Sequence, residues 1–236
     1  MFKKIVFQDG HQFEKLVDIS VHKICLELAR NTSLKKLNNT IDTWQTRHPN
    51  AKVLDLLFGD YAKNVVKQYI LFKNANIKII EYDQIRSDNF VNRDLFDLKI
   101  GEDEIEVKSS LEKYTRDLPT INTKRNIIVN RHSSHVSEAR YIFQVFYIPK
   151  DLKSFIAMEE INAEKSRRFN KDLFEEHLKM FSLDHMDVYI CGWIINDKKA
   201  KDSFGVSNSK TGAQYRSYAS MPIDKSQNPE TFLSLY

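Results

Sequence analysis

Two stretches of this chain are apolar almost without interruption: Tyr141 to Ile148 (Tyr-Ile-Phe-Gln-Val-Phe-Tyr-Ile) and Val188 to Ile195 (Val-Tyr-Ile-Cys-Gly-Trp-Ile-Ile). Strands of this kind carry no polar face to give to solvent, so they belong at the centre of a sheet covered on both sides. Pro149 ends the first. Its single polar residue, Gln144, must either line a cleft or find a buried partner.

Around these strands the chain alternates elements. Residues 10–30 have Phe13, Leu16, Val17, Val21, Ile24, Cys25 and Leu28 at helical spacing, and Asn31-Thr32-Ser33 is the expected stop. Thr40 to Arg47 is a shorter helical candidate, broken by His48-Pro49-Asn50, and residues 51–58 read as helix or turn. After Gly59, residues 60–73 form a helix buried through Ala62, Val65, Val66, Tyr69 and Ile70. Ile77 to Tyr82 is a strand candidate and residues 159–180 are helical in tone. From Asn196 the chain is rich in Ser, Gly, Asn and Lys, without periodicity. The order predicts a mixed α/β fold, a central β-sheet flanked by helices. We expect a single domain over 1–236, with a helical N-terminal subregion over 1–58, a core over 59–196 and a loop-rich segment over 197–236.

Between the predicted strand at 77–82 and Tyr141 lies a charged hairpin, Arg93-Asp94-Leu95-Phe96-Asp97-Leu98-Lys99-Ile100-Gly101-Glu102-Asp103-Glu104-Ile105-Glu106-Val107-Lys108-Ser109-Ser110. If Ile100 faces Ile105 across a loop from Gly101 to Glu104, Leu98 lies opposite Val107, Lys99 opposite Glu106 and Asp97 opposite Lys108. Period-two alternation then gathers Leu98, Ile100, Ile105 and Val107 on one face and Asp97, Lys99, Glu106 and Lys108 on the other. Asp97 and Glu106 become diagonal neighbours roughly 7–8 Å apart. Two carboxylates so placed can converge on a divalent cation with an ammonium beside them. The same alternation also describes an ordinary half-exposed strand pair.

These residues resemble the PD-(D/E)xK motif of the restriction-endonuclease-like nucleases: Asp97 on one strand, Glu106-Val107-Lys108 on the next. The proline of the motif's name is absent. Three other Asp-x-Lys triplets occur, Asp97-Lys99, Asp151-Lys153 and Asp197-Lys199, but only Glu106-Lys108 follows an acid at hairpin distance with the apolar alternation around it. The resemblance spans residues 59–196 and implies a restriction-endonuclease-like fold. It also implies hydrolysis of double-stranded DNA to 5′-phosphate and 3′-hydroxyl ends, most like a type II restriction enzyme acting as a homodimer. Alternatives are a repair or junction-resolving nuclease of the same fold and an inactive DNA-binding or scaffold protein.

Phosphodiester hydrolysis needs charge neutralised on the attacked phosphate. Hard oxygen ligands suit Mg²⁺, which keeps several waters and is held by one or two carboxylates. Asp97 and Glu106 fit that role, and the resemblance adds the Val107 carbonyl as a ligand. Lys108 is placed to orient a water and stabilise transition-state charge, or to act as a base. Asp60 is the candidate acid from the preceding helix, with N-terminal capping of that helix as its ordinary alternative. Gln144 is the candidate polar neighbour of the lysine. Asp94 is a rival first acid, and a second rival pairs Asp97-Lys99 with Asp83 or Asp88.

Net charge is +4, mild for a protein that only coats nucleic acid and compatible with acids at a centre and bases at a rim. Lys124, Arg125, Arg131, Lys210, Gln214 and Arg216 are the candidate DNA contacts, with solvated surface as the plain alternative. His132 and His135 lack the cysteines or further histidines a zinc site requires. Cys25 and Cys191 fit buried free thiols in a reducing cytoplasm. No apolar run approaches membrane-spanning length, and the N-terminus meets polar residues too early for a signal peptide.

Overall fold

The computed structural model describes residues 1–37, 39, 49–92, 94–130, 139–151, 169–196, 205–211 and 214–236. Its strands are β1 (Phe2–Val6), β2 (Gln12–Leu16), β3 (Ile79–Glu81), β4 (Leu98–Ile100), β5 (Asp103–Leu111), β6 (Asn126–Asn130), β7 (Tyr141–Pro149), β8 (Met186–Ile195), β9 (Gly205–Thr211) and β10 (Gln214–Pro222). The helices are α1 (Ile19–Leu37), α2 (Pro49–Lys73), α3 (Tyr82–Ile85), α4 (Leu118–Lys124) and α5 (Lys171–Met180). Seven strands form a mixed sheet in the order β1-β2-β8-β7-β5-β4-β3. Its neighbours are antiparallel except β5 and β7, which run parallel. A second sheet has the order β6-β10-β9. The chain is an α/β protein, as its element order predicts.

The two apolar strands lie at the sheet's middle. Every residue of β7 is buried. Tyr141, Phe143, Val145 and Tyr147 pack with α1, α2 and α5 in one core, while Ile142, Phe146 and Ile148 pack with β6 residues Ile127 and Val129 in a second. Both faces are therefore covered, one by helices and the other by the smaller sheet. The β7–β8 register shifts at Gln144, opposite Gly192. Gly192 has φ +155°, and a Cβ there would collide with Ser226 Oγ and lie 2.9 Å from the Gln227 carbonyl oxygen. Only glycine fits that close approach.

The N-terminal third departs from the predicted helix over 10–30. Asp18 caps α1 through its Oδ1, which accepts the Ser20 and Val21 N–H groups at 2.9 and 3.2 Å. The residues before it form the β1–β2 hairpin, joined to β8 through Glu14 and Lys15. Helix α1 then runs through the expected stop, where the Thr32 and Ser33 hydroxyls donate back to the carbonyls of Leu28 and Arg30 at 3.0 and 3.1 Å. Helix α2 is continuous from Pro49 through Gly59 to Lys73, so a boundary between 58 and 59 falls inside one helix. The candidate helix over 40–47 lies outside the described residues, as does the part of 159–180 before Phe169.

The C-terminal segment is not loop-rich where it is described. β9 and β10 pair from Gly205–Ser220 to Thr211–Gln214, and two 3-10 turns, Ile223–Lys225 and Pro229–Leu235, follow. Short polar strands carry little hydrophobic alternation, which hides them in the sequence. Cys25 and Cys191 are buried and unpaired with each other. Among the described residues no helix is long and apolar enough to cross a membrane.

Candidate active site

The β4–β5 hairpin closes more tightly than its sequence suggests. Ile100 pairs with Asp103, Lys99 with Glu104 and Leu98 with Ile105. The turn is Gly101-Glu102, with Gly101 at φ +57°, as two-residue hairpins with a leading glycine adopt. The register is two residues from the expected one, and an even shift keeps every residue on its face. Leu98, Ile100, Ile105 and Val107 are all buried in the helix-side core, while Lys99, Glu106 and Lys108 are half-buried on the opposite side. Lys99 accordingly lies across from Glu104 instead of Glu106, and its ammonium pairs with Glu102 at 3.2 Å.

Asp97 immediately precedes β4 and is bound to β5 twice. Its N–H donates to the Ile105 carbonyl at 3.0 Å, and its Oδ2 accepts the Val107 N–H at 2.7 Å. Burial and then the Glu106 carboxylate push the Asp97 carboxyl up to about 7, against the opposing pull of the Val107 N–H, Lys63 and Lys36. Lys108 Nζ forms an ion pair with Glu106 Oε1. The two acids and the lysine are thus gathered on one strand and its neighbour.

Gln144 stands beside this group. In the parallel ladder it is in register with Lys108, and its Nε2 donates to Ser110 Oγ at 3.2 Å and to the Val145 carbonyl at 2.9 Å. It is 1% exposed, so the side chain is buried and partnered. Ser110 was not singled out from the sequence, although period two from Lys108 puts it on the same face. No β5 residue joins the apolar cluster that covers this side of β7 and β8. Glu106, Lys108 and Ser110 form a polar margin there.

Asp60 lies inside α2 and caps nothing. It is 4% exposed and accepts Lys36 Nζ at 2.8 Å, with Lys63 Nζ at 3.6 Å. Lys36 also reaches Asp83 at 3.0 Å and Asp94 at 3.4 Å. Lys63 pairs with Asp83 and, at 3.5 Å, with Glu81. Burial raises the Asp60 carboxyl despite both lysines. For Asp83 burial also acts upward, but Lys63 and Lys36 outweigh it and hold the carboxyl low. Asp60 Oδ2 and Asp83 Oδ1 are buried without a hydrogen-bond partner. Since Lys36 and Lys63 act on Asp97 as well, this buried network and the hairpin acids share one field. The rival acids are committed elsewhere: Asp94 to Arg86 and Lys36, Asp88 to Arg86, Asp83 to the two lysines. The Asp60-Lys63 spacing was legible as an i, i+3 pair, whereas Lys36 carried no local signal.

The candidate DNA contacts scatter. Lys124 is exposed in the last turn of α4. Arg125 clamps the buried Glu112 with two bonds of 2.6 and 2.9 Å, so its donors serve the fold. Lys210, Gln214 and Arg216 lie on the β9–β10 ribbon, where Lys210 pairs with Tyr215, Arg216 with Ser209 and Gln214 with Thr211. Arg131, His132 and His135 lie outside the described residues.

Among the described residues no set of three or more His, Cys, Asp or Glu side chains is grouped to hold a metal ion. The donors at the hairpin are two carboxylates and main-chain carbonyls. That set suits Mg²⁺, which needs few protein ligands and retains water. Comparison with protein-family models, with curated proteins and with solved structures finds no match.

Proposed function

We propose that this chain is a Mg²⁺-dependent endonuclease of the restriction-endonuclease-like fold, cutting double-stranded DNA at a specific sequence as type II restriction enzymes do. The observation that carries this reading is the double tether of Asp97 to β5, which fixes its carboxylate beside the strand that holds Glu106 and Lys108. The mixed sheet, with its parallel β5–β7 pair and helices over one face, is compatible with that fold.

Asp97, Glu106 and the Val107 carbonyl would hold the ion. A strand residue's N–H and C=O point to the same edge, and the Val107 N–H points to Asp97. Bound there, Mg²⁺ supplies Lewis acidity at the phosphate and lowers the pKa of coordinated water. Asp97 keeps Oδ1 for the ion because Oδ2 is taken by Val107. Lys108, paired with Glu106 in the free protein, is assigned the role of an ammonium that offsets charge building on the attacked phosphate. Gln144 and Ser110 set the wall beside it. Asp60, through Lys36 and Lys63, shapes the field at Asp97 and is assigned no contact with substrate. A homodimer would match the two-fold symmetry of a palindromic site.

The test is digestion of unmethylated phage DNA and of supercoiled plasmid by the full chain, with Mg²⁺ and with chelator. Discrete metal-dependent fragments are expected. Cutting confined to branched DNA would move the reading to a junction-resolving nuclease, and binding without cleavage to a scaffold.

A further inference from the structure

The segment joining α3 to β4 contains an unusual turn. Asn89 and Phe90 are consecutive non-glycine residues at positive φ, +50° and +64°. Asparagine tolerates this region, but for a bulky residue such as phenylalanine it is an outlier. Such a conformation persists only where the surroundings over-determine it.

Arg86 supplies that determination. Its side chain is 3% exposed. Nε binds Asp88 Oδ1 at 2.7 Å, Nη2 binds Asp88 Oδ2 at 3.1 Å and the Asn92 carbonyl at 2.6 Å, and Nη1 pairs with Asp94. The Phe90 ring lies over the guanidinium at 4.7 Å and beneath Lys36 Nζ at 5.6 Å. Asp88 Oδ2 also accepts the Asn92 N–H at 2.9 Å. The turn is thus wrapped on a buried arginine and floored by the same Lys36 whose charge reaches Asp97.

What this scaffold presents outward is uncharged. Asn89, Val91 and Asn92 are exposed, and the Asn89 amide has no partner among the described residues. Arg86 is paired with Asp88, Asp94 and, at 3.7 Å, Asp83, so the turn offers little to phosphate. A rigid amide beside an apolar tip matches base edges instead: asparagine reads adenine through N6 and N7, and an aliphatic side chain meets the thymine methyl.

We infer that the turn Arg86–Asn92 is a sequence-reading element, in which Asn89 and Val91 contact the edges of A·T pairs next to the cleaved bond. The inference rests on the endonuclease reading. The test begins with selection of preferred sites from a random-sequence duplex pool by the wild-type chain, in Ca²⁺ for binding and in Mg²⁺ for cleavage. Asn89→Gly, which keeps the backbone conformation, and Val91→Ser are then measured on the selected duplex, on single base-pair variants of it and on random duplex. Both substitutions should leave binding to random duplex intact, while lowering the preference at one or more A·T positions by about tenfold or more, with cutting of the selected duplex falling in step. Wild-type preference in both variants would overturn the assignment and leave the endonuclease reading standing. Failure of the wild-type chain to bind or cut duplex DNA would overturn both.

Discussion

The carboxylate of Asp97 accepts the Val107 N–H at 2.7 Å, fixing an acid from outside the β4 ladder to the strand that carries Glu106 and Lys108. A side chain thereby takes a main-chain donor at the point where the hairpin pairing ends. With the Asp97 N–H bond to the Ile105 carbonyl, this contact fixes Asp97 beside the strand of Glu106, whose charge adds to burial in raising the Asp97 carboxyl.

Replacing either acid should stop cleavage without unfolding the protein. Asp97→Asn keeps an acceptor for Val107 and Glu106→Gln keeps the strand packing, so neither leaves a cavity or a buried orphan donor. Loss of roughly 10²–10³-fold or more in rate is expected for each, measured as plasmid nicking in Mg²⁺ beside thermal melts. Metal-free DNA binding should hold or strengthen, because a negative charge near phosphate is removed. Wild-type rates in either variant would refute the assignment.

The elements of this site differed in how far the sequence disclosed them. Ile105, Val107 and Leu98 alternate strictly with charged residues, so the face carrying Glu106 and Lys108 could be read directly. The register could not: whether Gly101 opens a two- or four-residue turn depends on its φ, which composition does not specify. β7 announced itself through its unbroken apolar run, and Gln144 stood out as the exception within it. The β2-to-α1 transition was hidden because Phe13 and Leu16, three residues apart, read as one helical face, whereas in β2 they enter opposite cores. Lys36 was out of reach, since its partners Asp60, Asp83 and Asp94 come from three distant segments that only the tertiary fold assembles.

Metal binding should be coupled to a proton. The Asp97 carboxyl is raised to about 7 by burial and then by Glu106, and an ion binds the deprotonated form. Affinity for Mg²⁺ or Mn²⁺ should therefore climb from pH 6 to pH 8, with up to one proton released per ion below pH 7. Calorimetry in buffers of differing ionisation enthalpy reads both. The sign for stability is opposite: an acid whose folded pKa exceeds its unfolded value retains its proton in the native state, so the metal-free fold weakens as pH rises from about 4 to about 7. Asp97→Asn should flatten that decline. An unchanged pH–stability curve in the variant would contradict the raised pKa.

Lys108 and Lys99 should separate sharply. Lys99 pairs with the exposed Glu102, a contact of the kind that contributes about 0–1 kcal/mol. Lys99→Ala should therefore leave turnover within a few-fold of wild type. Lys108→Ala removes the ammonium beside the acids and should cost about 10²-fold or more in single-turnover rate. A reversed ranking would mean that the chemistry uses the neighbouring Asp97-Lys99 pair instead.

Lys36→Met should be the most destabilising of these changes. Burial disfavours the ammonium, but Asp60, Asp94 and Asp83 outweigh it and hold the lysine in its charged form. Removing the cation leaves Asp60 and Asp83, each already with one buried oxygen that lacks a hydrogen bond, sharing Lys63, with Arg86 Nη1 3.7 Å from Asp83. Breaking a buried pair from one side costs about 3–5 kcal/mol, and denaturant unfolding should show a loss of that order. Adding Asp60→Asn to Lys36→Met should recover part of it, because the uncompensated charge goes with the acid. A double-mutant cycle should then return a coupling of about 0.5–3 kcal/mol. Strict additivity would show that Lys36 and Asp60 do not depend on each other, and Asp60 would then need a separate role at the hairpin.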